Sequence, residues 1–296
     1  MQLFGLRPIW AALALAVAGC ATPGPMVTED VGAIRTGIAA VRQQSQASFT
    51  AANSLVRQQA VDRKVHSPEL ILRQSDFPTP VTAAAAQQWS SAFDLLDAYA
   101  AALQSLVDPQ RAQGAGEAIG QLGDSLNGPT IRAGIPPSIS GAFQAFGSAL
   151  VQAKAEASAT AVMRKTDPAF ADLIGRMATA VGRGTHEPGS LYDTVESAWN
   201  DSLLPGLENG YRHLSPTDES GRRQAIQAYL DAMAARDAQL TQLGQLSQSL
   251  LALGEAHAAA ARGRPGDALF WIKRIDAQLD AIRSRAASTG KTGGSQ

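Results

Sequence analysis

The sequence predicts an all-α fold, an elongated bundle of about seven to eight helices with long antiparallel members and no sheet. Apolar residues recur along most of the chain at alternating steps of three and four, which is the spacing of one helix face. Hydrophobic residues make up 45% of the chain but aromatic residues only 5%, so we expect alanine-rich helices that meet along narrow seams. No long window alternates apolar and polar residues as a half-buried strand would.

The longest predicted helix covers residues 216–262. At about 1.5 Å per residue it would be roughly 70 Å long, so it needs partner helices of similar length. We expect helices over 28–64, 80–107 and 138–181 to lie beside it. A last helix over 267–287 is expected to fold back on it as a hairpin. The apolar stripe of the long helix consists of Ile226, Tyr229, Met233, Leu240, Leu243, Leu250 and the small Gly254.

Helix starts are predicted where a Ser, Thr or Asp residue precedes proline. The side-chain oxygen can cap the first turn, and proline is tolerated at the first helical position because its missing N–H is not needed there. The pattern places a helix break near Pro168. Residues 68–74 fit either a helical or an extended conformation. The pairs are Ser67-Pro68, Thr79-Pro80, Asp108-Pro109, Asp167-Pro168 and Ser215-Pro216.

Residues 1–19 have the pattern of an export signal. Arg7 supplies one positive charge, and residues 9–18 form an apolar run that is too short to span a bilayer. The run ends in Val17-Ala18-Gly19-Cys20. This tetrapeptide resembles the lipobox of bacterial lipoproteins, although the commonest form has Leu where Val17 stands. The resemblance implies cleavage between Gly19 and Cys20, a diacylglyceryl thioether on the Cys20 sulfur and acylation of its amino group.

The resemblance also implies where the protein is located. Two or more acyl chains give stable membrane attachment, and Ala21 rather than Asp after the lipidated cysteine implies the outer membrane in Gram-negative lipoproteins. We therefore expect a lipid anchor on Cys20 at the periplasmic face of the outer membrane. The alternative is an ordinary secretory signal that is cleaved near a buried cysteine. The predicted organisation is a signal peptide over 1–19, a lipidated cysteine and tether over 20–27, a helical bundle over 28–287 and a disordered tail over 288–296.

The composition argues against several chemistries. The formal net charge of −1, with both signs interspersed, lacks the basic excess of a nucleic-acid binding surface, so no nucleic-acid partner is expected. The four histidines are too far apart in sequence to form a ligand pair on one helix, and the single Cys20 cannot build a cysteine metal site. We expect no metal, cofactor or catalytic residue, and a packed or partly exposed position for His257 on the long helix.

The preferred functional hypothesis is a non-catalytic protein of the cell envelope. Its membrane partner would be reached through the lipid on Cys20, and its protein partners would be other envelope proteins. The long helical seams and the lack of a Gly-x-Ser-x-Gly nucleophile motif support an interaction or structural role over an enzyme.

Two alternatives stay open. One is a carrier that holds a small apolar molecule or lipid between helices, and the other is a hydrolase that uses an acidic cluster within residues 187–201. The carrier pocket would be lined by Trp89, Phe93, Phe143 and Phe146. The acidic cluster consists of Glu187, Asp193, Glu196 and Asp201, with Tyr192 and Trp199 among them.

Overall fold

In the computed structural model of the chain, the regular secondary structure of the described residues is entirely helical. The structure describes residues 25–280 without 66, 78, 109, 130–133, 135, 185–186, 264–267 and 278–279. For that part of the chain, the predicted all-α bundle without a sheet is confirmed. Gly19, Cys20, the predicted signal peptide and the predicted tail lie outside the described residues.

The helices follow the predicted order along the chain. They are α1 Pro25–Val65, α2 Ala83–Val107, α3 Ala112–Asn127, α4 Pro137–Ala153, α5 Ala159–Val181, α6 Leu191–Ala198, α7 Leu204–Arg212 and α8 Glu219–Ala261. A further helical segment covers 268–277, inside the helix predicted over 267–287. A 3₁₀ turn, Gln74–Asp76, precedes α2, and a π-helical turn, Trp199–Leu203, joins α6 to α7.

Six of the described helices form a closed ring. Helices that are consecutive in sequence pack on each other from α1 to α5, and α8 lies between α5 and α1. Neighbours run antiparallel, as the contacts between α1 and the start of α2 illustrate. Arg42 donates to Asp94 at 2.6 Å, and further along α1 the Asn53 side chain exchanges two hydrogen bonds with the backbone of Val81. Helix α2 also reaches α5 across the interior, so the ring encloses one continuous core.

Helix α8 is buried only in its C-terminal half. The helix has 43 residues and is therefore about 65 Å long. Its buried residues begin at Leu243, whereas Ile226 near its start is 48% exposed. The predicted stripe is therefore covered less completely in the N-terminal half, where Tyr229, Met233 and Leu240 are half-buried against the core. The reason is the small partner there, since the nine-residue α7 covers this half of α8 on one side.

The predicted helix starts at Ser/Thr/Asp-Pro pairs are wrong in detail. Helix α2 is capped by Thr82, and α8 by Asp218, each three residues after a predicted start. At Ser215 the side-chain oxygen accepts the Thr217 N–H at 3.3 Å, so it closes a turn that leads into α8. The polar residue before proline therefore has the expected capping chemistry, but it caps a turn and not the helix.

The predicted break near Pro168 is also wrong. Helix α5 continues through Pro168, and the break lies before Ser158, whose hydroxyl accepts the Ala161 N–H at 3.2 Å. An interior proline costs about 3 kcal/mol. Burial of the flanking Thr166 and Phe170, together with the rest of the inner face of α5, offsets this cost, while Pro168 itself is exposed to solvent.

Helices α3 and α4 approach each other closely because glycines line their contact. A Cβ atom on Gly123 would lie 2.7 Å from the carbonyl oxygen of Gly147. A Cβ atom on Gly147 would lie 2.7 Å from the Cβ of Leu126. Because these obstacles are backbone or near-backbone atoms, no larger side chain fits unless the two helices separate.

We expect Gly147→Ala to lower the free energy of unfolding by about 1–3 kcal/mol, because the added methyl group forces α3 and α4 apart. Gly141→Ala on the same helix is the matched control. Its Cβ would meet no atom within 4 Å, and the better helix propensity of alanine should raise stability by about 0.5–1 kcal/mol. Urea denaturation followed by circular dichroism measures both. Equal stability of the two variants would contradict the close contact.

Candidate functional site

The four aromatic residues predicted to line one carrier pocket lie in two environments. Trp89 and Phe93 border a cleft of about 150 Å³ between α1 and α2. Phe49 from α1 meets the Trp89 ring edge-on, at 5.6 Å between ring centroids. Phe143 and Phe146 do not line this cleft and are fully buried in the core. The cleft is smaller than the roughly 300–1,000 Å³ of typical ligand pockets.

The four acidic residues predicted as a hydrolase cluster are spread over a loop, a groove and a separate cleft. Glu187 accepts the Arg183 N–H at 3.3 Å, and Asp193 accepts the Gly189 N–H at 3.4 Å, so both shape the loop before α6. Glu196 lines a polar groove against α8. Asp201 lines a different cleft, beside the loop that precedes α2.

The polar groove lies between the end of α5, α6 and α8, and its volume is about 700 Å³. Arg236 on its wall donates to Asp237 at 2.9 Å and to Asn200 at 3.3 Å. Partial burial and the nearby Glu196 carboxylate raise the pKa of Tyr192. The charges that line the groove belong to Arg183, Glu196, Arg236 and Asp237, so both signs are equally represented.

A network of polar side chains joins three helices in the centre of the ring. The Tyr99 hydroxyl on α2 lies 2.8 Å from Nε2 of His257 on α8 and 3.0 Å from the hydroxyl of Thr166 on α5. Nδ1 of His257 lies 2.9 Å from a carboxylate oxygen of Asp167, also on α5. We call Tyr99, Thr166, Asp167 and His257 the buried network.

Aromatic rings enclose the buried network. Phe170 stacks on the His257 ring at 4.1 Å between centroids, and Phe146 meets Tyr99 edge-on at 5.0 Å. Tyr99 and His257 are completely buried, whereas the Asp167 side chain is 31% exposed. The hydrogen bonds therefore run from a carboxylate at the surface to a hydroxyl in the middle of the core.

A neutral His257 gives the hydrogen bonds of the buried network one consistent direction of donation. Its Nδ1–H donates to Asp167, its Nε2 accepts the Tyr99 O–H, and the Tyr99 oxygen accepts the Thr166 O–H at 3.0 Å. Burial lowers the pKa of His257, and the hydrogen bond to Asp167 opposes this effect. Burial likewise raises the pKa of Tyr99. None of the clefts described above is lined by these four residues, and their hydrogen bonds join α2, α5 and α8.

Sequence reasoning identified only one member of the buried network. Of the packed and partly exposed positions expected for His257, the structure shows the packed one. Tyr99 gives no separate signal because it lies among the apolar residues of α2, and Asp167 has the pattern of a helix cap because it precedes Pro168. The sequence signal for the buried network is one histidine and one tyrosine that each lie on an otherwise apolar helix face.

A second feature is an exposed apolar stretch between α1 and α2. Leu70, Ile71 and Leu72 are 95%, 57% and 73% exposed. Residues 69–73, which we call the exposed segment, contain no helix or turn, and Arg73 has extended angles of φ −123° and ψ 148°. Of the two conformations left open for residues 68–74, the helical one is not adopted over 69–73, and the measured angles at Arg73 are extended.

Charged side chains fix the exposed segment to the end of α1. The Lys64 Nζ atom lies 3.3 Å from Oε2 of Glu69 and 3.1 Å from Oδ2 of Asp76. The Arg73 Nη2 atom lies 3.0 Å from Oε1 of Glu69. Asp76 also accepts the Arg73 N–H at 3.0 Å, and this hydrogen bond, aided by Lys64, lowers the pKa of Asp76. Both ends of the segment are held, while its apolar side chains face solvent.

Comparisons with protein-family models, with curated proteins and with solved structures gave no match for this chain. Within the described ranges, no group of three or more His, Cys, Asp and Glu side chains is placed to hold a metal ion. In that same part of the chain, no helix is both long enough and apolar enough to cross a membrane.

We expect the free energy of unfolding to fall as the pH drops below about 6.5, the ordinary pKa of histidine. Burial disfavours protonated His257 in the folded state, so the unfolded chain binds the proton first and the stability present at neutral pH is lost on acidification. The slope contributed by one proton approaches about 1.4 kcal/mol per pH unit. Urea denaturation at several pH values between about 5 and 8 measures this slope.

The variant His257→Gln should lose this part of the pH dependence. His213→Gln is the matched control, because His213 is exposed at the end of α7 and its replacement removes a histidine without touching the buried network. A slope that survives in His257→Gln would show that another group is responsible.

Proposed function

We propose that the chain is a lipoprotein anchored through Cys20 at the periplasmic face of the outer membrane, where it serves as a non-catalytic protein-interaction module of the envelope. The observation that carries the interaction role is the exposed segment, in which three adjacent apolar side chains are held in solvent. Covering a large apolar side chain contributes about 1.5–3 kcal/mol. A partner that covers this segment would therefore gain binding energy.

The charged contacts around the exposed segment favour binding over random exposure. Lys64 holds Glu69 and Asp76 from the end of α1, so the conformation of the segment is set before a partner arrives. A preformed segment loses little conformational entropy when it binds. Contiguous apolar surface on a soluble domain commonly marks an interaction site.

The position of the exposed segment suits an anchored protein. Helix α1 begins at Pro25, five residues after Cys20, and its 41 residues span about 60 Å. The exposed segment follows the C-terminal end of α1. A lipid on Cys20 would thus attach near one end of this helix, and the segment would be presented at the other end.

The two alternative functions have less support. A carrier would need a larger apolar cavity than the cleft beside Trp89, and Phe143 and Phe146 are enclosed in the core. A hydrolase of the predicted kind would need two carboxylates that flank one substrate site. Glu187 and Asp193 instead bind loop N–H groups, and Glu196 and Asp201 line different openings.

We expect Cys20→Ser to abolish incorporation of labelled palmitate and to move the protein out of the membrane fraction, because serine has no thiol to accept the lipid. Val17→Leu is the matched control, since it brings the tetrapeptide closer to the commonest lipobox and should keep the label. Metabolic labelling and fractionation of cells measure both variants. An unlabelled parent chain, or a labelled Cys20→Ser chain, would contradict the anchor.

We expect a photoreactive phenylalanine analogue at position 72 to form protein adducts in living cells. The matched control is the same analogue at position 47, an exposed site on the middle of α1. Irradiation followed by immunoblotting and mass spectrometry reports the adducts. If position 72 gives no more protein adduct than position 47, the exposed segment is not an interaction surface.

A further inference from the structure

We propose that the partner of the exposed segment is a second copy of this chain. The two segments would pair as antiparallel strands about a two-fold axis that passes between the two Ile71 residues. This inference rests on the proposed function in that it takes residues 69–73 as an interaction surface. It adds the identity of the partner and the register of the contact.

The backbone of the exposed segment is available for strand pairing. The N–H and C=O groups of Leu70, Ile71 and Leu72 have no hydrogen-bond partner within the described part of the chain. An extended stretch with unpaired backbone groups is a template for another strand. Its two ends are held by Lys64, Arg73 and Asp76, so it can offer this edge without first being ordered.

The charges at the two ends make the segment complementary to itself. Its sequence is Glu69-Leu70-Ile71-Leu72-Arg73, with an acid at one end and a base at the other. In an antiparallel pair centred on Ile71, Glu69 of each copy lies opposite Arg73 of the other, and Leu70 lies opposite Leu72. A parallel pair would instead bring like charges together. A two-fold axis requires such a self-complementary pattern.

The exposed fractions of the side chains agree with this pairing. Successive side chains of a strand point to opposite faces, so Leu70 and Leu72 share one face and Ile71 lies on the other with the charged residues. Leu70 and Leu72 are the more exposed, at 95% and 73%, and Ile71 at 57% lies between the joined Glu69 and Arg73. Pairing would gather four leucines on one face and two intermolecular ion pairs on the other.

The predicted association is weak in dilute solution. A two-stranded ribbon of this length is marginally stable by itself. Val61 and Val65, exposed on the last turns of α1, can add apolar contact beside it. Confinement of both copies to one membrane raises their effective concentration, which favours pairing in the cell over pairing of the free protein.

A charge exchange tests the proposed pairing. Two differently tagged full-length chains are co-expressed, and their co-purification after mild solubilisation is measured. Glu69→Arg in both copies places two bases opposite each other at each end of the pair, and Arg73→Glu in both copies places two acids there. Each should reduce co-purification by about fivefold to tenfold. A mixture of one Glu69→Arg chain with one Arg73→Glu chain should restore it to within about twofold of the parent.

The mixed pair separates this contact from the contacts within one chain. Each variant still lacks its own Glu69–Arg73 bridge in the mixture, so restored binding can come only from charges that face each other between copies. Circular dichroism verifies that both variants keep the helical fold. Failure of the mixture to bind better than either variant alone would overturn the antiparallel register.

The adduct at position 72 distinguishes failure of this inference from failure of the proposed function. An adduct of twice the mass of the chain, absent from the Glu69→Arg cells, supports the second copy. An adduct that contains a different protein, without co-purification of the two tags, overturns the second copy and leaves an interaction module. No adduct and no co-purification overturn both.

Discussion

The hydrogen bond between Tyr99 and His257 is the contact on which the arrangement of the helices depends most. It joins α2 to α8 in the centre of the ring, and Asp167 and Thr166 extend it to α5. A buried polar group left without a partner costs about 1–3 kcal/mol, whereas an apolar side chain can exchange one neighbour for another at smaller cost. The three helices therefore have one favoured register, and α8 closes the ring in that register.

This constraint also explains the division of α8 into two halves. The half from residue 243 onward is held between α1 and α5, with His257 near its end. The half before it leaves the ring and is accompanied by α7. Close packing elsewhere has a different origin, since α3 and α4 meet through Gly123 and Gly147 and need no polar contact to set their distance.

The buried network and the exposed segment depart from the usual distribution of polar and apolar groups in opposite ways. Polar groups lie in the core at Tyr99 and His257, and apolar groups lie in solvent at Leu70 and Leu72. In the core the departure fixes one packing arrangement. At the surface, ion pairs from Lys64 and Arg73 hold the apolar side chains where a partner can reach them. Departures of this kind are expected where a protein has a specific contact to make.

Local sequence patterns determined the helical class and the approximate extent of most helices, because helix periodicity is a property of neighbouring residues. The motif ending at Cys20 is local in the same sense, and it remains the basis for the proposed anchor. Tertiary structure decided where proline is accommodated, since the tolerance of Pro168 comes from the burial of the surrounding face of α5. It also decided how much of the α8 stripe is covered, and that Tyr99 meets His257 across 158 residues of sequence. These outcomes depend on which helices pack together through space, and the spacing of residues along one helix carries no information about its neighbours.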